Sequence, residues 1–259
     1  MRAIQGIYVI WLRDIIRFFR EKPRIVGMIG QPILYLTIMG TGLASTLRPV
    51  QLPAGFDYID FMYPGIICMS VLFTSVFSAV SIVWDREFGF LKEVLVAPVP
   101  RWSVALGKAL GGSTISMIQA TILLVIAPFI GLNLTFLALI KLWLILFLIS
   151  FALTSFGIII ASRMETMQGF QVIMNFIIMP MFFLSGAIFP LKGVPGWMEV
   201  LMRLDPLTYG VDAIRNIFFA GTPAYESMVT FSLAQDLTVI GVMGVVFILL
   251  ATWSFNFAK

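Results

Sequence analysis

The chain has 259 residues, 60% of them hydrophobic and 12% charged, with a formal net charge of +4 and no histidine. Soluble domains carry about 25% charged residues, so half that share cannot cover a folded surface of this size, and lipid must be the solvent for most of it. The missing histidine removes the commonest general base and metal ligand, and the single Cys68 can form neither an internal disulfide nor a thiolate zinc cage. No basic block alternates with exposed aromatics, which argues against nucleic acid as a partner.

Residues 1–24 form the first predicted element. At about 100° per residue, Ile4, Ile7, Tyr8, Trp11, Ile15, Phe18 and Phe19 share one face, and Arg2, Arg13, Arg17, Arg20 and Arg24 share the other. The pattern predicts a basic amphipathic helix lying in the membrane interface, either as an anchor alone or as a contact for a partner. It is no cleavable signal, because the arginines interrupt its apolar run. Lys22-Pro23 marks the bend that follows.

A helix needs about 20 apolar residues to cross the hydrocarbon core. Six windows lack Asp, Glu, Lys and Arg: 25–47, 61–84, 109–140, 142–162, 166–191 and 237–258. They predict an all-α, integral membrane fold in a single transmembrane domain, with spans 25–47, 61–84, 109–131, 137–162, 166–190 and 237–258. The third and fourth spans make a hairpin turning near Gly131-Leu132-Asn133, with Lys141 snorkelling to the interface. Twelve of the 17 Lys and Arg then fall on one side if both termini are cytoplasmic, which is the orientation the positive-inside rule favours. Gly107 and Gly111 form a small-xxx-small pair suited to close helix packing. Most hydroxyl residues in the spans read as packing groups too. Gln31, Gln168, Gln171 and Asn175 are costlier to bury, and are candidates to line a pathway.

Two loops stand out. In 85–101, Leu91, Val94, Leu95 and Pro98 fall at i, i+3, i+4 and i+7, so a short amphipathic helix should end against Pro98. It could dock on a soluble partner or lie on lipid. The loop 192–236 is too charged to span, yet rich in large apolar residues. Its Asp205-Pro206 reads as an N-cap with proline at the first helical position. Two short re-entrant helices in the outer leaflet are predicted there, gating an exit or forming a structural lid.

The chain carries no G-x-x-x-x-G-K-[ST] phosphate loop. All six windows lack the ionisable groups that ion-coupled carriers place at mid-membrane. An intramembrane hydrolase would need a nucleophile with a base, or a metal site, and no span centre holds Lys, Asp or Glu. An ion-coupled secondary transporter and a non-catalytic scaffold subunit remain the other readings.

The stretch Asp85-Arg86-Glu87-x-Gly89-x-Leu91-x-Glu93-x-Leu95-x-x-Pro98-Val99, continuing to Gly107-Lys108, resembles the signature of type-2 ATP-binding-cassette (ABC) transporter permeases. Ser185-Gly186, Pro190, Pro195-x-Trp197, Pro206-Leu207-Thr208-Tyr209 and Asp212-x-x-Arg215 resemble the same family's outer region. Pro100 stands where family members often have Ser or Thr. The resemblance is nearest to daunorubicin-type drug-resistance and nodulation-type lipo-oligosaccharide exporters. It implies a non-enzymatic permease in the cell membrane, paired with a second copy or a close relative and with two copies of an ABC ATPase. ATP and Mg would sit on that ATPase, with no cofactor on this chain. Asp85, Arg86, Glu87, Gly89, Leu91, Glu93, Leu95 and Pro98 would couple the two. Pro190, Trp197, Pro206, Tyr209 and Arg215 are the outer-gate candidates.

Overall fold

The computed structural model describes residues 2–46, 58–89, 99–132, 134–191 and 193–256, with the side chains of 2, 39–46, 58 and 256 excepted. Among these residues every regular element is helical: α1 (Arg2–Arg20), α2 (Lys22–Thr46), α3 (Tyr58–Ser78), α4 (Val80–Glu87), α5 (Arg101–Ile126), α6 (Phe136–Ala161), α7 (Met167–Leu184), α8 (Gly196–Leu204), α9 (Pro206–Phe218), α10 (Tyr225–Met228) and α11 (Leu233–Asn256).

Local chemistry sets the boundaries. Pro128 opens a 3₁₀ turn, Ala127–Ile130, that closes α5, and Gly131 at φ 92° reverses the chain. Only glycine adopts that conformation without strain, so the hairpin turns where it is predicted. Thr135 caps α6 and Thr166 caps α7, each hydroxyl accepting an N–H three residues on. Asp205 accepts from the Leu207 N–H at 2.9 Å, with Pro206 in the first turn of α9.

Among the described residues, five helical stretches are long and apolar enough to cross a membrane: Ile59–Glu87, Arg101–Ile130, Phe136–Ala161, Met167–Leu184 and Tyr225–Phe255. They overlap five of the predicted spans. The predicted span 25–47 falls on α2, and its last residue lies outside the described residues.

α5 is the hub, packing against α1, α3, α6 and α11. Apolar attraction between helices is weak in lipid, so close backbone approach and short hydroxyl bonds take over. A Cβ on Gly112 would stand 2.1 Å from Ser78 Oγ and 2.6 Å from Thr154 Cγ2, and one on Gly157 would stand 2.9 Å from the Val76 carbonyl oxygen. Ser75 Oγ donates to Ser116 Oγ at 2.8 Å between α3 and α5.

Gly107 and Gly111 seat α1. A Cβ on Gly107 would lie 3.0 Å from Ile10 Cβ and one on Gly111 would lie 3.1 Å from Asp14 Cβ, while Trp11 Nε1 donates to Thr114 Oγ1 at 3.0 Å. α1 is therefore packed along a span, with Ile10, Asp14 and Phe18 buried and Ile4, Tyr8, Val9 and Phe19 exposed. Gly111→Leu is expected to lift α1 off α5 and to cost about 1–3 kcal/mol from overpacking, read as a lower melting temperature and earlier proteolysis in α1. Gly27→Leu, with open space around the glycine, is the control and should melt as wild type. Equal melting of the two variants would disprove the seat.

Candidate functional site

The pathway candidates fall on two surfaces. Gln168, Gln171 and Asn175 lie three and four residues apart on α7, and all three are exposed. Of the apolar window on α7 only 22% is buried, against 78% for α3–α4, so α7 presents an amide stripe outward. Gln31 is not with them. It lines a cavity of about 210 Å³ between α2, α3 and α5, together with Pro32, Met69, Ser70, Phe73 and Thr74. Phe73 and Phe77 stack at 6.2 Å on the wall of that cavity, and Phe77 meets Phe170 of α7 edge-on at 6.3 Å, so Phe77 touches both surfaces. Gln119 is already engaged: its Nε2 donates to the Met28 carbonyl at 2.7 Å, and its Oε1 accepts from the Thr74 hydroxyl. It ties α2, α3 and α5 together.

One end of the bundle holds a buried ion cluster. Lys108, 5% exposed, donates to Asp14 Oδ1 at 3.0 Å, Asp85 Oδ2 at 3.2 Å and Ser81 Oγ at 2.9 Å. Arg13 also donates to Asp85 Oδ2. Arg17 stands 3.8 Å from Asp85 and lies 4.3 Å over the ring of Trp84. A buried charge is tolerated only when paired and hydrogen-bonded, and here α1, α4 and α5 each contribute partners. Asp14 and Lys108 escaped the sequence reading as site residues. One signal was available: Asp14 is the only acid among the first 20 residues.

Of the predicted coupling residues, Asp85 and Arg86 are engaged inside the chain. Arg86 Nη1 donates to the Met164 carbonyl at 2.8 Å and Nη2 to the Ser162 carbonyl at 2.7 Å, in the turn between α6 and α7. Across the loop, Arg101 donates to the Phe255 carbonyl at 3.1 Å, at the end of α11. Cations suit these helix C-termini, where the backbone dipole is negative. Glu87 and Gly89 are exposed. Leu91, Glu93, Leu95 and Pro98 lie outside the described residues.

The opposite end is pinned by polar groups of α9. Arg215, 2% exposed, donates to the Gly186 carbonyl at 2.9 Å and lies 4.2 Å over the ring of Phe61. Tyr209 donates to the Arg203 carbonyl at 2.8 Å and stacks on Phe231 at 5.1 Å. Asp212 accepts from the Thr230 and Phe231 N–H groups at 2.9 and 2.8 Å. Burial pushes the Asp205 carboxyl up to about 7, against the opposing effect of the Leu207 N–H bond. Pro190 and Pro206 are half-buried, and Trp197 is exposed.

Comparison with known proteins places the sequence in a family. A sequence profile described as ABC-2 type transporter matches residues 5–219. The ycf38 protein of Cyanophora paradoxa, whose name is that of a transport permease, is 29% identical over 255 residues, covering 95% of this chain and 88% of that one. Nodulation protein J of Rhizobium meliloti is 26% identical, with 83% of this chain and 81% of that one covered. The inner membrane transport permease YadH of Escherichia coli is 27% identical, with 81% of each chain covered.

Proposed function

The chain belongs to the ABC-2 type transporter family, and from that premise we propose that it is the membrane-spanning permease of an ATP-driven exporter for a drug, lipid or lipid-linked glycan. Hydrolysis takes place on a separate ABC ATPase, present in two copies. A second permease copy or a close relative covers the amide stripe of α7, and the cargo passes between the two. The end bearing Lys108 faces the cytoplasm, in keeping with the positive-inside count, and both termini lie on that side of the cell membrane.

The observation that carries this reading is the mounting of the 85–101 loop. Asp85 holds it to α1 and α5, Arg86 to the α6–α7 turn, and Arg101 to the end of α11. A load applied to its middle therefore reaches most of the bundle. Energy delivered by contact needs such a loop, and Glu87, exposed just past the anchored pair, is the first side chain free to meet a partner.

Changing Glu87 and Glu93 to Ala is expected to leave membrane insertion normal and to weaken co-purification of the ATPase. Truncating one side of a buried interfacial charge pair typically costs about 2–5 kcal/mol. A double variant that retains the ATPase at wild-type yield would refute the assignment. Loss of the protein from the membrane would show that these residues serve the fold instead.

A further inference from the structure

Asp85 and Arg86 are neighbours in sequence but hold different bodies. Asp85 is bonded to Lys108 on α5, the hub of the bundle, and to Arg13 of α1. Arg86 is bonded to the turn that launches α7. Within the chain that helix is lightly held: it packs against α3, α4, α8 and α9, which leave most of its apolar window uncovered.

The turn has the build of a hinge. α6 ends with Ser162 N–H on the Ile158 carbonyl, and α7 starts afresh from its own cap at Thr166. Between them the backbone makes only short turns, Arg163 N–H to the Ile160 carbonyl at 3.0 Å and Met164 N–H to the Ala161 carbonyl at 3.2 Å. One side of the hinge is fixed. Ser162 Oγ and Ser254 Oγ share a hydrogen bond at 2.5 Å, and Arg163 Nε donates to the same Ser254 of α11 at 3.0 Å. Arg86 bridges the hinge, with one prong on Ser162 at the fixed side and the other on Met164 at the side of α7.

We infer that Arg86 is a positioning residue, turning displacement of the end of α4 into a swing of α7 about the Ser162–Thr166 turn. The inference rests on the permease reading and deepens it. Glu87 and Glu93 meet the ATPase, whereas Arg86 never does, and acts on the helix bearing Gln168, Gln171 and Asn175. A guanidinium suits the task because its planar fork can hold two carbonyls at a fixed spacing, which a lysine ammonium cannot.

The test uses the permease complexed with the ATPase that co-purifies with it. Spin labels replace Phe176 on α7 and Leu144 on α6, both well exposed. Their separation is measured at rest and after trapping with ATP and vanadate. Wild type is expected to shift on trapping. Arg86→Gln is expected to match wild type at rest, while the shifted population falls by about tenfold. Arg86→Lys, the gentler change, should fall between them and serves if the Gln variant fails to fold. An Arg86→Gln complex that shifts like wild type would overturn the inference, as would a fixed separation in wild type or full rescue by Lys. If no ATPase accompanies the wild-type chain, the permease reading fails, and this inference with it.

Discussion

Replacing Lys108 with Met is expected to destabilise the protein by about 3–5 kcal/mol, because it takes a hydrogen-bonded cation from two buried carboxylates. Asp14 suffers most. Its Oδ1 loses a 3.0 Å bond, and its next cation is Arg13 at 3.8 Å. Asp85 keeps Arg13 and Arg17. The damage should therefore be local, with α1 released first, and Asp14→Leu added to Lys108→Met should recover most of the loss. Replacing a buried ion pair with apolar groups of similar volume is often neutral. Thermal unfolding of the two single variants and the double one checks this as a mutant cycle. Additive losses would mean that Lys108 and Asp14 do not act as a pair.

Arg215→Met is expected to cost about 3 kcal/mol at the other end. A hydrogen bond to a charged donor is worth about 1.5–3 kcal/mol, and a desolvated guanidinium over an aromatic face about 2. The Gly186 carbonyl would lose its donor and Phe61 its cation. Gly186 sits at φ 77° in a bend where Ala187 comes so near Gly65 that a Cβ there would lie 2.6 Å from the Ala187 carbonyl oxygen. The bend has little room to adjust, so 185–190 should become protease-sensitive together with α9. Arg203→Ala is the contrast. Its pair with Glu199 at 2.7 Å is half exposed, and such pairs contribute about 0–1 kcal/mol. Equal losses for the two variants would show that burial of Arg215 carries no special weight.

Five of the spans, the Gly131 reversal and the Asp205-Pro206 start were legible because each depends on a short window of sequence. Charge-free length, proline and positive-φ glycine act where they stand. The ion cluster was not legible, because its members come from positions 14, 81, 85 and 108, and only the packed bundle makes them neighbours. Periodicity separated the two faces of α1 but could not say which would meet protein. Part of the basic face does: Arg13 turns to Asp85 and Arg17 to Trp84, while apolar Ile4 and Tyr8 stay exposed. Asp85 and Arg86, read as facing a partner, sit at the end of α4 and turn inward to α5 and the α6–α7 turn, since spacing marks a residue's place along the chain and not its partner. The α7 amides were readable as a stripe from their spacing of three and four. That Gln31 lies apart from them was not, because it depends on how α2 leans on α3.

The amide stripe also bears on how the cell handles the chain. A newly inserted copy whose α7 faces acyl tails carries three side-chain amides with nothing to bond to, and each such group costs on the order of 2–7 kcal/mol in an apolar medium. Steady-state abundance should then follow the supply of whatever covers the stripe and not the rate of translation. If a second permease covers the stripe as proposed, Gln168→Leu, Gln171→Leu and Asn175→Leu together would lengthen the lifetime of a solitary copy, and surplus chain would be short-lived.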